Sequence, residues 1–127
     1  MKTILVDAVQ TLIIEGQGLF EEMRRLLDSY PNRKIVLTNA NDEEAERFGL
    51  GHCPYEIFSL KHQPDKIDPE YYRMMLEHLG LRAEETVYFE HSQAAVKNAE
   101  SLGIRSWHYD PEIKDLVGLK RFLDENL

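Results

Sequence analysis

Five short apolar runs, at residues 2–7, 34–38, 55–59, 86–90 and 104–108, alternate with longer stretches of helical period, and this alternation admits few folds. Runs of this length bounded by turn residues read as strands. Between them Leu19, Phe20, Met23, Leu26, Leu27 and Tyr30 recur at the spacing of one helix face, as do Tyr72, Met75, Leu76 and Leu79. Ala95, Ala99 and Leu102 repeat the pattern, and Ile113, Leu116, Val117 and Leu123 close it. Asp68 before Pro69 and Asp110 before Pro111 mark two helix starts, because an acid caps a helix and a proline suits its first position. Gly80 and Gly103 suit helix ends. Parallel neighbours require crossover connections, usually helical, so the pattern predicts an α/β protein with an open parallel five-stranded sheet covered on both faces.

A chain of 127 residues suits one domain, expected over residues 1–127, and is long enough to bury a core. No repeat, linker or low-complexity segment interrupts it. With 43% hydrophobic and 30% charged residues the composition is that of an ordinary globular protein. A formal charge of −8 argues against nucleic acid and anionic membrane surfaces as partners, since both are bound mainly through Lys and Arg. The single cysteine, Cys53, excludes an intramolecular disulfide and has no zinc-type spacing around it; a small buried hydrophobe is its expected role. The start "MKTILVD" resembles a leader, but Asp7 cuts the apolar stretch short, and no run is long enough to span a membrane. A cytoplasmic location is the expectation by elimination.

Asp7 ends the first apolar run, with Thr11 four residues on. A carboxylate at the end of a buried strand costs several kcal/mol unless it is paired, solvated or used at the sheet's carboxyl edge, which is where open parallel sheets bind ligands. The residues at or just after the other strand ends are Thr38 and Asn39, then Glu90, His91 and Ser92. Each has a plain explanation alone: Asp7 can close a turn, Thr38 can cover a strand end, and Asn41 or Ser92 can cap a helix. Their coincidence at three strand ends of one sheet marks that rim as the candidate site.

In these residues the chain resembles the haloacid dehalogenase (HAD) superfamily of phosphatases and related hydrolases. "DAVQTL" matches the first motif, Asp-x-Asp-x-Thr, at Asp7 and Thr11, with Val9 in place of the second Asp. "IVLTNAN" matches the second at Thr38 and Asn39, "DKIDPEYYRMMLEHLGL" the third at Lys66, Asp68, Pro69 and Tyr72, and "VYFEHSQAAVKNAESLGI" the fourth with Glu90 and His91 where two Asp are common. The resemblance runs over about residues 2–109 with the four motifs in order. It implies a Rossmann-like sheet in the order 5-4-1-2-3, counted on the five runs above, with no cap domain, since residues 8–33 have room for little more than a flap and a helix.

The resemblance further implies roles. Asp7 would be the nucleophile, Thr38 a phosphoryl-oxygen donor, and Lys66 the cation joining phosphate to Asp7, with Asn39 also on the substrate; Lys61 is the rival lysine, without the family's spacing to Pro69 and Tyr72. Magnesium would sit on Asp7, the carbonyl of Val9 and Glu90, as a weak or altered site, with His91 a poor ligand for so hard an ion. Val9 has no proton for a leaving oxygen, work worth about 100- to 10,000-fold in rate. The expected function is thus a phosphatase-type hydrolase with weak or specialised activity. The alternatives are a pseudo-hydrolase acting as a phospho-ligand-binding or interaction module, and a dehalogenase-like hydrolase, since the family's dehalogenases also start Asp-Ala and lack the second Asp. A capless site implies a bulky, macromolecule-borne phosphate as partner, or a homo-oligomer that closes the site.

Overall fold

The computed structural model describes residues 1–127. The chain runs β1 (Thr3–Asp7), β2 (Ile13–Ile14), β3 (Gly18–Leu19), α1 (Glu21–Asp28), β4 (Lys34–Thr38), α2 (Asp42–Arg47), β5 (Glu56–Ser59), α3 (Glu70–Leu79), β6 (Thr86–Glu90), α4 (Gln93–Ser101), β7 (Arg105–His108) and α5 (Leu116–Asn126). Five strands form one parallel sheet ordered β5-β4-β1-β6-β7. Read from the other edge, with β2 and β3 left out of the count, this is the expected 5-4-1-2-3. β2 and β3 pair antiparallel as the small flap between β1 and α1.

Strand residues alternate between the two faces of the sheet. Ile4, Val6, Val36, Val87 and Phe89 pack on one face with Met23 and Leu27 of α1 and Leu119, Phe122 and Leu123 of α5. Leu5, Ile35, Leu37 and Tyr88 pack on the other with Tyr71, Tyr72 and Met75 of α3 and Ala95 and Ala99 of α4. The same alternation places Asp7 with Leu5 and Glu90 with Tyr88, so both strand-end carboxylates belong to the α3–α4 side. β1 is the central strand, and its Val6 lies opposite Phe89. Asp7 and Glu90 follow that pair at the same level of the rim.

Two expectations about the C-terminal segment are corrected. Asp110 and Pro111 open a turn, not a helix: Asp110 accepts from the backbone N–H of Glu112, and α5 starts five residues later behind Asp115, whose carboxylate accepts from Gly118 N at 2.8 Å. Ile113 and Val117, expected on the buried face, are 70% and 72% exposed; Leu116 and Leu123 face the core as expected, joined by Leu119 and Phe122. Ile113 precedes the helix, and Val117 lies off the stripe that Leu116, Leu119 and Leu123 make at helical spacing. Trp107, an edge-strand aromatic, lies under the same helix, stacked on Phe122 with ring centroids 6.2 Å apart. No helix is long and apolar enough to cross a membrane.

Candidate active site

β1, β4 and β6 end together, and the loop between β5 and α3 reaches back over them. The result is a cleft of about 240 Å³ whose lining includes Asp7, Val9, Thr38, Lys66, Glu90 and His91. Lys66 arrives from the loop and is buried. Its Nζ donates to Asp7 Oδ1 at 2.8 Å and to Glu90 Oε1 at 2.9 Å. Lys61, the rival, is exposed and pairs with Asp42 at 3.0 Å. The spacing to Pro69 and Tyr72 selects the buried lysine because it fixes how far before α3 the cation stands.

The two oxygens of Asp7 are used unequally. Oδ2 accepts from Thr11 Oγ1 at 2.6 Å, from the backbone N–H of His91 at 3.2 Å and from His91 Nδ1 at 2.5 Å. Oδ1 accepts from Lys66 alone, so with two lone pairs it retains one. Glu90 has no such freedom: Oε1 takes Lys66 and the hydroxyl of Tyr88 at 2.5 Å, while Oε2 takes Ser92 N at 2.9 Å and faces His91 Nδ1 at 3.1 Å. Tyr88 in turn meets the Tyr72 hydroxyl at 3.1 Å.

These contacts set the ionisation of the cluster. Burial alone raises the Asp7 carboxyl, but the charge of Lys66 and the hydrogen bond from His91 override it and hold Asp7 well below the usual carboxylate range. Burial likewise lowers Lys66, and the charges of Asp7 and Glu90 more than restore it. The hydrogen bonds to Asp7 and Glu90 push the His91 imidazole up to about 10. Asp7 is therefore an anion across the whole neutral range, and Lys66 and His91 are cations.

Thr38 is buried at the cleft wall, its Oγ1 accepting from the backbone N–H of Ala40 at 3.2 Å, which leaves the hydroxyl proton for another acceptor. Asn39 is committed elsewhere: its Oδ1 accepts from Lys66 N at 2.8 Å and its Nδ2 donates to Asp65 at 3.1 Å. It braces the lysine loop. Asn98 adds a bond to the carbonyl of Lys66 at 3.1 Å, and His62 joins Asp65 to Glu44 at the cleft edge, at 3.0 and 2.6 Å. Sequence reasoning missed His62, Glu44, Asp65 and Tyr88. Only Tyr88 carried a signal, since its alternation with Glu90 puts both on one side of β6.

Magnesium requires oxygen ligands at about 2.0–2.1 Å in octahedral array. Asp7 and Glu90 are hard enough, and they lie with His91 in one group whose ligand atoms are within 4.8 Å of one another. Yet Glu90 already accepts three hydrogen bonds, from Lys66, Tyr88 and Ser92 N, and the His91 ring stands between the two carboxylates with Nδ1 3.1 Å from Glu90 Oε2. As arranged, the donor set does not fit the ion.

No protein-family model matches the sequence, and no curated protein matches it either. Solved structures do. A "predicted HAD-like family hydrolase" from Porphyromonas gingivalis superposes with a TM-score of 0.72 at 15% identity, over 97% of this chain and 98% of that one. A HAD family enzyme from Bacteroides thetaiotaomicron, in a mutant form with magnesium and inorganic phosphate bound, superposes at 0.63 and 14% identity over 85% and 93%. A dehalogenase solved as an intermediate complex reaches 0.57 and 19% over 72% of this chain and 43% of that one. The chain therefore has the HAD hydrolase fold, and its rim residues occupy the strand ends and the loop before α3 that the sequence motifs assign to them.

Proposed function

We propose that the chain is a phosphatase-type hydrolase with slow turnover, acting on phosphate carried by a bulky or protein partner. The observation that carries this reading is Asp7 Oδ1, an ionised carboxylate oxygen in the cleft with one lone pair free while its twin is saturated. In the reaction, Oδ1 attacks phosphorus, the ester oxygen leaves with the bonding pair, and the aspartyl-phosphate so formed is hydrolysed by water. Lys66 supplies positive charge beside the transferring group and the Thr38 hydroxyl a hydrogen bond, fixed donors of the kind that stabilise phosphoryl transfer. Val9 has no proton to give, so an alkyl leaving group departs slowly. The cleft is open to solvent, which suits a large partner and works against a dehalogenase, whose small substrate needs a closed, dry site.

A second reading, a non-catalytic module that binds a phosphorylated ligand, is favoured by one observation: Asp7 is 2% exposed, which restricts its line of attack. Turnover of an aryl phosphate, an alkyl phosphate and a phosphopeptide, with Asp7→Asn as blank, separates the two. Wild-type protein is expected to exceed the blank, most clearly on the aryl phosphate. Val9→Asp is expected to raise turnover of the alkyl ester by part of the roughly 100- to 10,000-fold that a general acid provides, with a smaller effect on the aryl ester. Failure of every substrate in both wild type and Val9→Asp decides for the binding module.

A further inference from the structure

We propose that the side chain of His91 takes the place of the divalent metal ion in this site, so that the cleft works without magnesium. The inference concerns the same cleft but does not depend on turnover.

The geometry is specific. His91 Nδ1 lies 2.5 Å from Asp7 Oδ2 and 3.1 Å from Glu90 Oε2, bridging one oxygen of each carboxylate as a shared cation does. Two lone pairs cannot meet at 2.5 Å, so the short Nδ1–Asp7 contact holds a proton, with the ring nitrogen as donor. On the opposite side Lys66 Nζ bridges the other oxygens, Asp7 Oδ1 and Glu90 Oε1, at 2.8 and 2.9 Å. Two carboxylates are thus clamped between two nitrogen donors, one per oxygen pair. Buried charges survive only when paired and hydrogen-bonded, and this arrangement leaves no buried side-chain nitrogen or oxygen without a partner. An added dication would have to displace the His91 ring and strip Glu90 of a donor.

The backbone holds His91 where this requires. Its N–H donates to Asp7 Oδ2 at 3.2 Å, its carbonyl faces His108 Nε2 at 2.9 Å, and the next residue, Ser92, caps α4 through Ala95 N. The strand-to-helix turn therefore aims residue 91 at the gap between the carboxylates. An acid there would add a third hard oxygen ligand, whereas histidine adds a donor.

Titration calorimetry with magnesium chloride, together with melting curves in magnesium or in chelator, tests this on the intact chain. Wild-type protein is expected to give no binding heat, no shift in melting temperature, and histidine NMR signals from His91 that stay in place as magnesium is added. His91→Asp is expected to acquire one magnesium per chain, with a melting temperature raised by the ion, and Glu90→Gln in that background to lose it. Should His91→Asp fail to fold, His91→Ala replaces it, opening the gap without adding charge; it too is expected to admit the ion, more weakly. Magnesium binding by wild type that Glu90→Gln abolishes overturns the proposal, as does a folded variant at position 91 that still takes none. Since no arm measures hydrolysis, a failure here is distinct from a failure of the phosphatase reading.

Discussion

At the scale of single residues the site rests on charge held in place. Asp7 and Lys66 are 59 positions apart in sequence, and each stabilises the other's charged form, helped by His91 at Asp7 and by Glu90 at Lys66. His91 carries a consequence for stability. Its imidazole is raised in the fold to about 10 from an ordinary value of about 6.5. The folded state therefore binds the proton more tightly, and the contribution of His91 is complete below the unfolded value and lost as pH rises through the folded one. Urea midpoints compared between wild type and His91→Gln are expected to differ most near pH 6 and to converge as pH approaches 10. Parallel profiles over that window would show that the imidazole is not charged in the fold.

At the scale of elements, the loop before α3 and the helix itself deliver Lys66. Tyr71 anchors the helix by donating to the carbonyl of Thr38 at 2.9 Å, and Gly80 stops it at φ 66°, in the left-handed region. A side chain at Gly80 would touch nothing within 4 Å, so the penalty for adding one is purely that of the backbone. Gly80→Ala is expected to lower stability by about 1–2 kcal/mol, whereas Gly51→Ala, equally free of contacts but without a positive φ, is expected to be neutral or to stabilise by about 0.4–1 kcal/mol through the unfolded chain. Chemical denaturation of both variants checks the contrast. Equal losses would mean that the left-handed conformation does not govern position 80.

At the scale of the whole molecule the sheet separates two apolar layers. Met75 of α3 and Leu123 of α5 are fully buried on opposite faces. Met75→Ala and Leu123→Ala are each expected to destabilise by about 2–5 kcal/mol. They share no contact cluster, so the double variant is expected to show the sum within about 0.5 kcal/mol. Unfolding followed by Trp107 fluorescence and by far-ultraviolet circular dichroism should remain a single coincident transition; separate transitions would mean that the two layers melt independently.

Most of the fold is legible in local pattern. The five expected strands and the α1, α3 and α4 faces are there because an apolar period of two or near 3.6 records which side of an element is buried, and the alternation of the two leaves a parallel sheet as the economical packing. The first turn of α5 was not legible: Asp110-Pro111 has the form of a capping acid before a first-turn proline, yet in the fold the cap is Asp115, whose carboxylate accepts from Gly118 N. The positions of Asp7, Thr38, Lys66 and Glu90 could likewise be read from motif order, since strand ends and a fixed spacing before α3 carry them to one rim. Their bonding could not. That Asn39 braces the lysine loop, that Lys66 ties Glu90 to Asp7, and that His91 stands between the carboxylates depend on segments distant in sequence meeting at about 3 Å or less. Periodicity specifies which way a side chain faces, and hydrogen bonding between segments is settled only when the folded chain brings donor and acceptor together.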